Sequence, residues 1–411
     1  MIPATWRRYQ LSQLVNKALS LSKPIPFDFL VRGEILRTTL GEWCTENGVG
    51  EEETLEIEYI ESVLPPEKVS DFPHEDWVSS ASCKVPGQFF TASYDGSIRS
   101  FDYSKNATSS TLAHSAPISS ICVVSSSDDT HIIASASHDL TAQINKITLA
   151  TPGSSTSSKS TPLATLHLHT APLSSIVSNT AGTHLLTASW DGLIGFWDTT
   201  VPVKDEVPEE EVGGRGGRQK RRRVEEGPRP PRKAPIEVLK SHVGRVSGVV
   251  FAPGLEEKAY SCGFDSTVRV WDMESGVSVH TVTASNKAFL SLSALPMTPE
   301  SILVTSTDRT MMLYDVRLPS PSDTNAPVSF LHPATPSCVV VSESGSQQVV
   351  SGAYDGIVRL WDLRSTKGAV ASFSPWEKGV KVLCVEWGRG VVAVGGEGGF
   401  SVWKVGENVL S

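Results

Sequence analysis

One pattern of about ten residues recurs along the 411-residue chain and leaves few folds open to it. SYDGSIRSFD (93–102), SHDLTAQIN (137–145), SWDGLIGFWD (189–198), GFDSTVRVWD (263–272), STDRTMMLYD (306–315), AYDGIVRLWD (353–362) and the degraded GEGGFSVWK (396–404) are seven copies. Their turn acids, Asp95, Asp139, Asp191, Asp265, Asp308, Asp355 and Glu397, are separated by 44, 52, 74, 43, 47 and 42 residues. A unit of roughly 40–45 residues that cannot bury its own apolar face is the period of a four-stranded propeller blade. Each copy reads as a strand end, a tight turn and a second strand alternating β-branched residues with an aromatic. Further strand-like runs lie upstream, as in HTAPLSSIV (169–177) and LLTAS (185–189).

These copies resemble WD-repeats. In that family a His, a Ser or Thr, the turn Asp and a strand Trp form a hydrogen-bonded tetrad inside a blade. The matching residues are His169, Thr187, Asp191 and Trp197; then His242, Ser261, Asp265 and Trp271; then His332, Ser351, Asp355 and Trp361. A buried carboxylate is costly unless fully paired, so the tetrads are expected to be structural devices rather than acid–base pairs. At the Trp position the first copy has Phe101, the second Asn145 and the fifth Tyr314, while Glu397 replaces Asp in the seventh. Those blades are expected to lack a complete tetrad and to lean on their neighbours. Seven blades suffice to close a ring, which hides the sheet edges.

Before residue 70 the periodicity changes. RRYQLSQLVNKALSLS (7–22) puts Leu11, Leu14, Val15, Ala18 and Leu19 on one stripe of a helix, ended by Pro24 and Pro26. FDFLVRGEIL (27–36) reads as two short strands around Gly33, TTLGEWCTENG (38–48) as a short helix, and TLEIEYI (54–60) as a half-buried strand. Helix, strand, strand, short helix, strand is the back half of a ubiquitin-like fold. The front hairpin is missing, since only about seven residues precede the helix. Without it TLEIEYI has one unpaired ladder edge. The expectation is either that the true start lies upstream of Met1 or that another chain supplies the strand.

The fold class read here is therefore mainly β: a seven-bladed propeller preceded by a small α+β ubiquitin-like domain lacking its first hairpin. The expected boundaries are 1–65 for the small domain, 66–75 for a connector and 76–405 for the propeller, with disordered insertions at about 148–161 and 200–235. The six cysteines are scattered with no C-x-x-C pair, arguing against a redox or zinc motif and for a reducing compartment. No run approaches the roughly 20 apolar residues of a membrane span, and the start has no compact apolar signal core. An intracellular protein without a membrane partner is expected. Nor is there a phosphate-binding glycine loop, a G-x-S-x-G elbow or an H-E-x-x-H helix, so no enzyme is read here.

SQLVNKAL, KPIPFDFLVRGEILRTTL and EDWVSS, set before these copies, closely resemble the YTM family of ribosome-biogenesis factors, known in animals as WD-repeat protein 12. The resemblance covers essentially the whole chain apart from the absent hairpin. It implies a non-enzymatic scaffold subunit of a nucleolar trimer with a BOP-type WD-repeat protein, docked propeller to propeller, and a Pescadillo-type protein. That trimer acts on the pre-60S ribosomal particle in maturation of the large subunit and precursor rRNA processing. It further implies that the ubiquitin-like domain is the handle by which the AAA ATPase midasin removes the factor, an acidic loop residue completing the coordination of a divalent ion held by midasin. Aligned back from the Glu-Tyr pair at 58–59, that acid falls at Glu52, with Glu51 and Glu53 as register alternatives. The bland alternative is three acids solvating a turn. No cofactor of the chain's own is implied.

One stretch stands apart in a chain of net charge −9: GGRGGRQKRRRVEEGPRPPRK (213–233) holds nine of the 36 Lys and Arg. It falls in the longest spacing between copies, after the acidic DEVPEEE (205–211). A nuclear address carried by Lys220, Arg221, Arg222, Arg223, Arg232 and Lys233 is the first reading, consistent with nucleus, nucleolus and nucleoplasm. Accessory rRNA contact is the second, weakened because no aromatics interleave the cations, and a passive solvated loop the third. An RNA-binding scaffold and a ubiquitin-pathway propeller adaptor are the alternative functions.

Overall fold

The computed structural model describes residues 2–405 apart from 51–52, 63, 105, 128, 150–157, 208–228, 284–286, 319–326 and 344–346. The chain opens with α1 (Arg8–Ala18), β1 (Phe27–Val31), β2 (Glu34–Ile35), α2 (Leu40–Glu46) and β3 (Ile57–Glu61). All five residues of β1 are buried, because it is the middle strand of a sheet ordered β2-β1-β3, antiparallel on both sides. Arg32 and Gly33 both take left-handed backbone (φ 50° and 74°), the conformation a two-residue hairpin between twisted strands requires. Thr39 and Glu42 cap α2 reciprocally: the Glu42 amide donates to Thr39 Oγ1 (3.2 Å) and the Thr39 amide to Glu42 Oε2 (3.0 Å). Leu11, Phe27, Phe29, Val31, Leu36, Leu40, Trp43 and Val49 form the core.

The apolar stripe expected on the first helix is only half used. Leu11 is buried, but Leu14 and Leu19 are 40% and 45% exposed, since a three-stranded sheet is too narrow to cover the whole stripe. The outer edge of β3 has no strand partner among the described residues.

Seven further sheets, each built from four consecutive antiparallel strands or nearly so, follow the seven copies. Trp197, Trp271 and Trp361 are fully buried, and clusters such as Tyr260, Val268 and Val282 with Phe289, Leu292 and Ile302 pack each sheet on the next. The ring closes through an unexpected element. Residues 66–75 do not form a connector: β4 (Glu67–Phe72) is the fourth strand of the seventh sheet, pairing with Gly399–Lys404 from Phe72↔Phe400 to Glu67↔Lys404. The last copy supplies only three strands, so the fourth comes from the other end of the propeller. Phe72 seals the joint, its ring 4.9 Å from Phe101, 5.4 Å from Phe400 and 6.2 Å from Phe89. Phe101, the aromatic standing where other blades carry Trp, belongs to this seal.

Both expected insertions take in residues that form strands. Strands Thr141–Thr148 and Lys159–His167 run into the first from either side. The second ends in a strand, Arg232–Lys233, which pairs in parallel with Lys159–His167 as a fifth strand of the second sheet.

Candidate functional site

The tetrad positions separate into three kinds. In the third blade His169 Nδ1 lies 3.1 Å from Asp191 and Nε2 2.8 Å from Thr187 Oγ1, to which Trp197 Nε1 donates at 2.9 Å. In the fourth, His242 lies 2.8 Å from Asp265 and 2.7 Å from Ser261, and Trp271 donates to Ser261 at 2.8 Å. Burial alone would raise the Asp265 pKa, but hydrogen bonds from His242, Thr267 and the Val243 amide hold it down at about 2. In both networks the His, the hydroxyl, the Asp and the Trp are each hydrogen-bonded.

The sixth blade departs from the tetrad expected for it. His332 meets Ser351 (3.1 Å) and Trp361 donates to Ser351 (2.8 Å), but Asp355 is taken by Arg359, at 2.6 Å, four residues along the strand. The His–Asp link is therefore absent. Arg269 holds the equivalent place in the fourth blade, yet there one guanidinium nitrogen is diverted to the Ser241 hydroxyl, leaving Asp265 to His242. The residue before His332 is Leu331, which offers no such acceptor. The first blade behaves like the sixth: Arg99 takes Asp95, while His74 bonds Thr91 (2.9 Å) and the Phe72 carbonyl (3.0 Å).

A third His–Asp pair, in the second blade, went unread in the sequence. His114 lies 2.9 Å from Asp139 and 2.8 Å from Ser135. Its separation from the turn acid, 25 residues against 22 and 23 in the complete blades, was the available signal. Asn145 stands where Trp would complete the set, and its buried Nδ2 has no partner among the described residues. The fifth and seventh blades substitute local bonds, Tyr314 to Met312 Sδ (3.0 Å) and Trp403 Nε1 to Ser401 (2.7 Å), while Glu397 pairs with Lys381 (3.2 Å).

Of the loop acids, Glu51 and Glu52 lie outside the described residues. Glu53 pairs with Arg32 across 3.2 Å with both side chains more than half exposed, so this part of the loop lies beside the β1–β2 turn and faces solvent. No group of three or more potential metal ligands occurs among the described residues.

Among the expected import residues, Lys220, Arg221, Arg222 and Arg223 also lie outside the described residues. Lys233 does not belong with them. Its side chain is 2% exposed, and Nζ reaches Asp198 Oδ1 and the Thr200 carbonyl, each at 2.5 Å. Arg232 lies half-buried in the same strand, its amide donating to Asp205 (2.8 Å) while its carbonyl accepts from Glu206 N (2.8 Å). A receptor gripping extended basic chain could not reach the Lys233 side chain without removing the strand.

With this geometry set, comparison with known proteins gives two family matches. Residues 1–44 match the NLE (NUC135) domain, and 67–102, 160–198, 233–272 and 328–362 match the WD domain, G-beta repeat. The unmatched copies are those with Asn145, Tyr314 and Glu397 at the diagnostic positions. Over its length the chain is 62% identical to ribosome biogenesis protein YTM1 of Laccaria bicolor (99% of this chain, 91% of the relative). It is 59% identical to that of Coprinopsis cinerea (99% and 91%) and 33% identical to that of Aspergillus niger (100% and 91%).

Proposed function

The chain belongs to the YTM family of ribosome biogenesis proteins, and from that premise we propose that it is a non-enzymatic scaffold subunit acting in maturation of the large ribosomal subunit and its precursor rRNA. Identity of 62% across 99% of the chain carries the reading. Its propeller docks on the propeller of a BOP-type partner, a Pescadillo-type protein completes the trimer, and the complex works on the pre-60S particle in nucleolus and nucleoplasm. The small domain is the handle that the ATPase midasin uses to remove the factor. The chain carries no cofactor of its own; Glu52 supplies one carboxylate oxygen to a divalent ion that midasin holds. A hard divalent ion takes oxygen ligands, and the solvent-facing position of the neighbouring Glu53 supports an accessible loop.

Affinity purification of the tagged protein tests the scaffold reading. BOP-type and Pescadillo-type chains and large-subunit precursors are expected to co-purify; recovery of ubiquitin-ligase subunits instead would replace it with the adaptor reading. Glu52→Gln is expected to abolish magnesium-dependent binding to the isolated midasin metal-binding domain while the BOP-type partner stays bound. Loss in Glu51→Gln or Glu53→Gln, with Glu52→Gln unaffected, would move the ligand by one register.

A further inference from the structure

In five of the seven blades the residue immediately before the turn acid carries a ring. These rings lie on one face, round one mouth of the central channel. Tyr94 stands 5.6 Å from Trp77 and 6.3 Å from His138, and His138 stands 5.4 Å from Trp190. The Arg245 guanidinium continues the chain, 3.8 Å over Trp190 and 4.8 Å over Phe264. Tyr354, from the sixth blade, is close enough to interact electrostatically with Arg245 across the mouth. The patch is exposed although apolar: Trp77, Trp190, Phe264 and Tyr354 are each 37–42% exposed and Val243 is 91% exposed. Aromatic and arginine side chains gathered at one exposed centre are the composition of a protein-binding hot spot.

The charge on this mouth selects the occupant. Arg245 has no ion pair among the described residues, and its Nε is buried with no hydrogen-bond partner. The neighbouring turn acids do not compensate it. Asp139, Asp191 and Asp265 are turned inward onto histidines, and Asp95 and Asp355 onto their own strand arginines. Lys381, beside Trp77, is already paired with Glu397. One flat, aromatic-stacked cation lacking a carboxylate sits in a ring of apolar surface, and a stacked guanidinium presents its fork for bidentate recognition. Nucleic acid would need several unpaired cations following a phosphate backbone, whereas of the two cations here Lys381 is paired and Arg245 alone lacks a carboxylate among the described residues.

We propose that this mouth docks an acidic segment of a partner protein, with Arg245 receiving a Glu or Asp carboxylate and the surrounding aromatic rings covering the flanking apolar residues. The site is independent of the Glu52 loop and of the basic stretch. The test pans a displayed library of random twelve-residue peptides against the full-length protein, then measures the enriched peptides by fluorescence anisotropy. The enriched set is expected to carry Asp or Glu flanked by apolar residues. Arg245→Gln should weaken those peptides roughly ten- to a hundredfold, the loss of one charge-assisted bidentate contact. Arg245→Lys should fall between, Trp190→Ala should also weaken them, and Leu331→Ala, at an exposed outer-strand end, should not. Peptides with Glu changed to Gln should lose the same factor against the native protein and none against Arg245→Gln, a cycle that holds even if a variant is partly destabilised. No enrichment, enrichment without acids, or an acid preference surviving in Arg245→Gln would overturn the proposal. So would a twelve-nucleotide uridine oligomer displacing the peptides in an Arg245-dependent way.

Discussion

Lys233 and Asp198 form an unequal pair, and the inequality makes a sharp prediction. The lysine side chain is 2% exposed and the aspartate 33%. Burial would raise the Asp198 pKa, but hydrogen bonds from Lys233 and Thr200 bring it below the ordinary carboxylate value. Changing Asp198 to Asn strands an ammonium group in the interior with the Thr200 carbonyl and hydroxyl as its remaining partners. Leaving one member of a buried pair uncompensated costs about 3–5 kcal/mol; the two surviving acceptors put this case near ~3 kcal/mol. Changing Lys233 to Met instead leaves a carboxylate that water can reach and that still accepts from Thr200, and the methionine fills the vacated space, so the cost should be about 1 kcal/mol. The double variant should resemble Lys233→Met alone, giving a coupling of about 3 kcal/mol. Urea unfolding followed by tryptophan fluorescence measures all three, with the midpoints compared at constant slope. Equal costs, or a larger cost for Lys233→Met, would refute the claim that this lysine is a structural part of the blade edge.

Other perturbations follow from the same geometry. A Cβ on Gly195 would sit 2.6 Å from Trp197 Nε1 and 2.8 Å from Thr187 Oγ1, so Gly195→Ala should cost about 1–3 kcal/mol by overpacking, and an unchanged urea midpoint would contradict the tetrad's rigidity. Burial first and the charge of Arg359 second lower the His332 pKa from 6.5 to about 4. The folded state thus prefers neutral His332, a contribution fully present above pH 6.5 and lost as pH falls from 6.5 to 4 while the unfolded chain takes up its proton first. Arg359→Gln should flatten that limb and free Asp355 for His332; nuclear magnetic resonance titration of the imidazole would disprove this by finding its pKa unmoved. Deleting residues 213–228, which stops short of the Arg232–Lys233 strand, should lower nuclear accumulation while leaving the unfolding midpoint intact. Undiminished nuclear levels, with carry-in by partners prevented, would count against the import reading.

The blades were legible because each repeats a turn acid, a β-branched strand and an aromatic at fixed offsets, so chemistry and period reinforced one another. The clasp strand was not, because only Ser70 and Phe72 of EKVSDF are buried and the run shows no apolar alternation. Its partner lies some 330 residues away, beyond any local signal. The role of Lys233 was hidden for a related reason: within RPPRK it reads as one more cation, and only the fold brings it to Asp198. The capture of Asp355 by Arg359 was in principle readable, since Arg stands four residues after the acid in three blades. What decides between them, a hydroxyl at Ser241 against the bare side chain of Leu331, emerges once strand positions are aligned in space. The aromatic mouth likewise needed the ring to close before rings spread along the sequence became neighbours.

The closing strand also fixes where tension enters the molecule. Between the last strand of the small domain, ending at Glu61, and the clasp, beginning at Glu67, lie only residues 62–66. A pull on the small domain therefore arrives at the ring's own seam rather than at a remote loop, with the contacts of Arg37 and Glu34 to the sixth blade sharing the load. The clasp lies at the outer edge of its sheet, held on one side, and can be peeled one hydrogen bond at a time. Once Phe72 is drawn out, the first and seventh blades lose the aromatic wedge between them. The joint that completes the wheel is thus its tear line, and the same six residues set how much traction the propeller withstands before it opens.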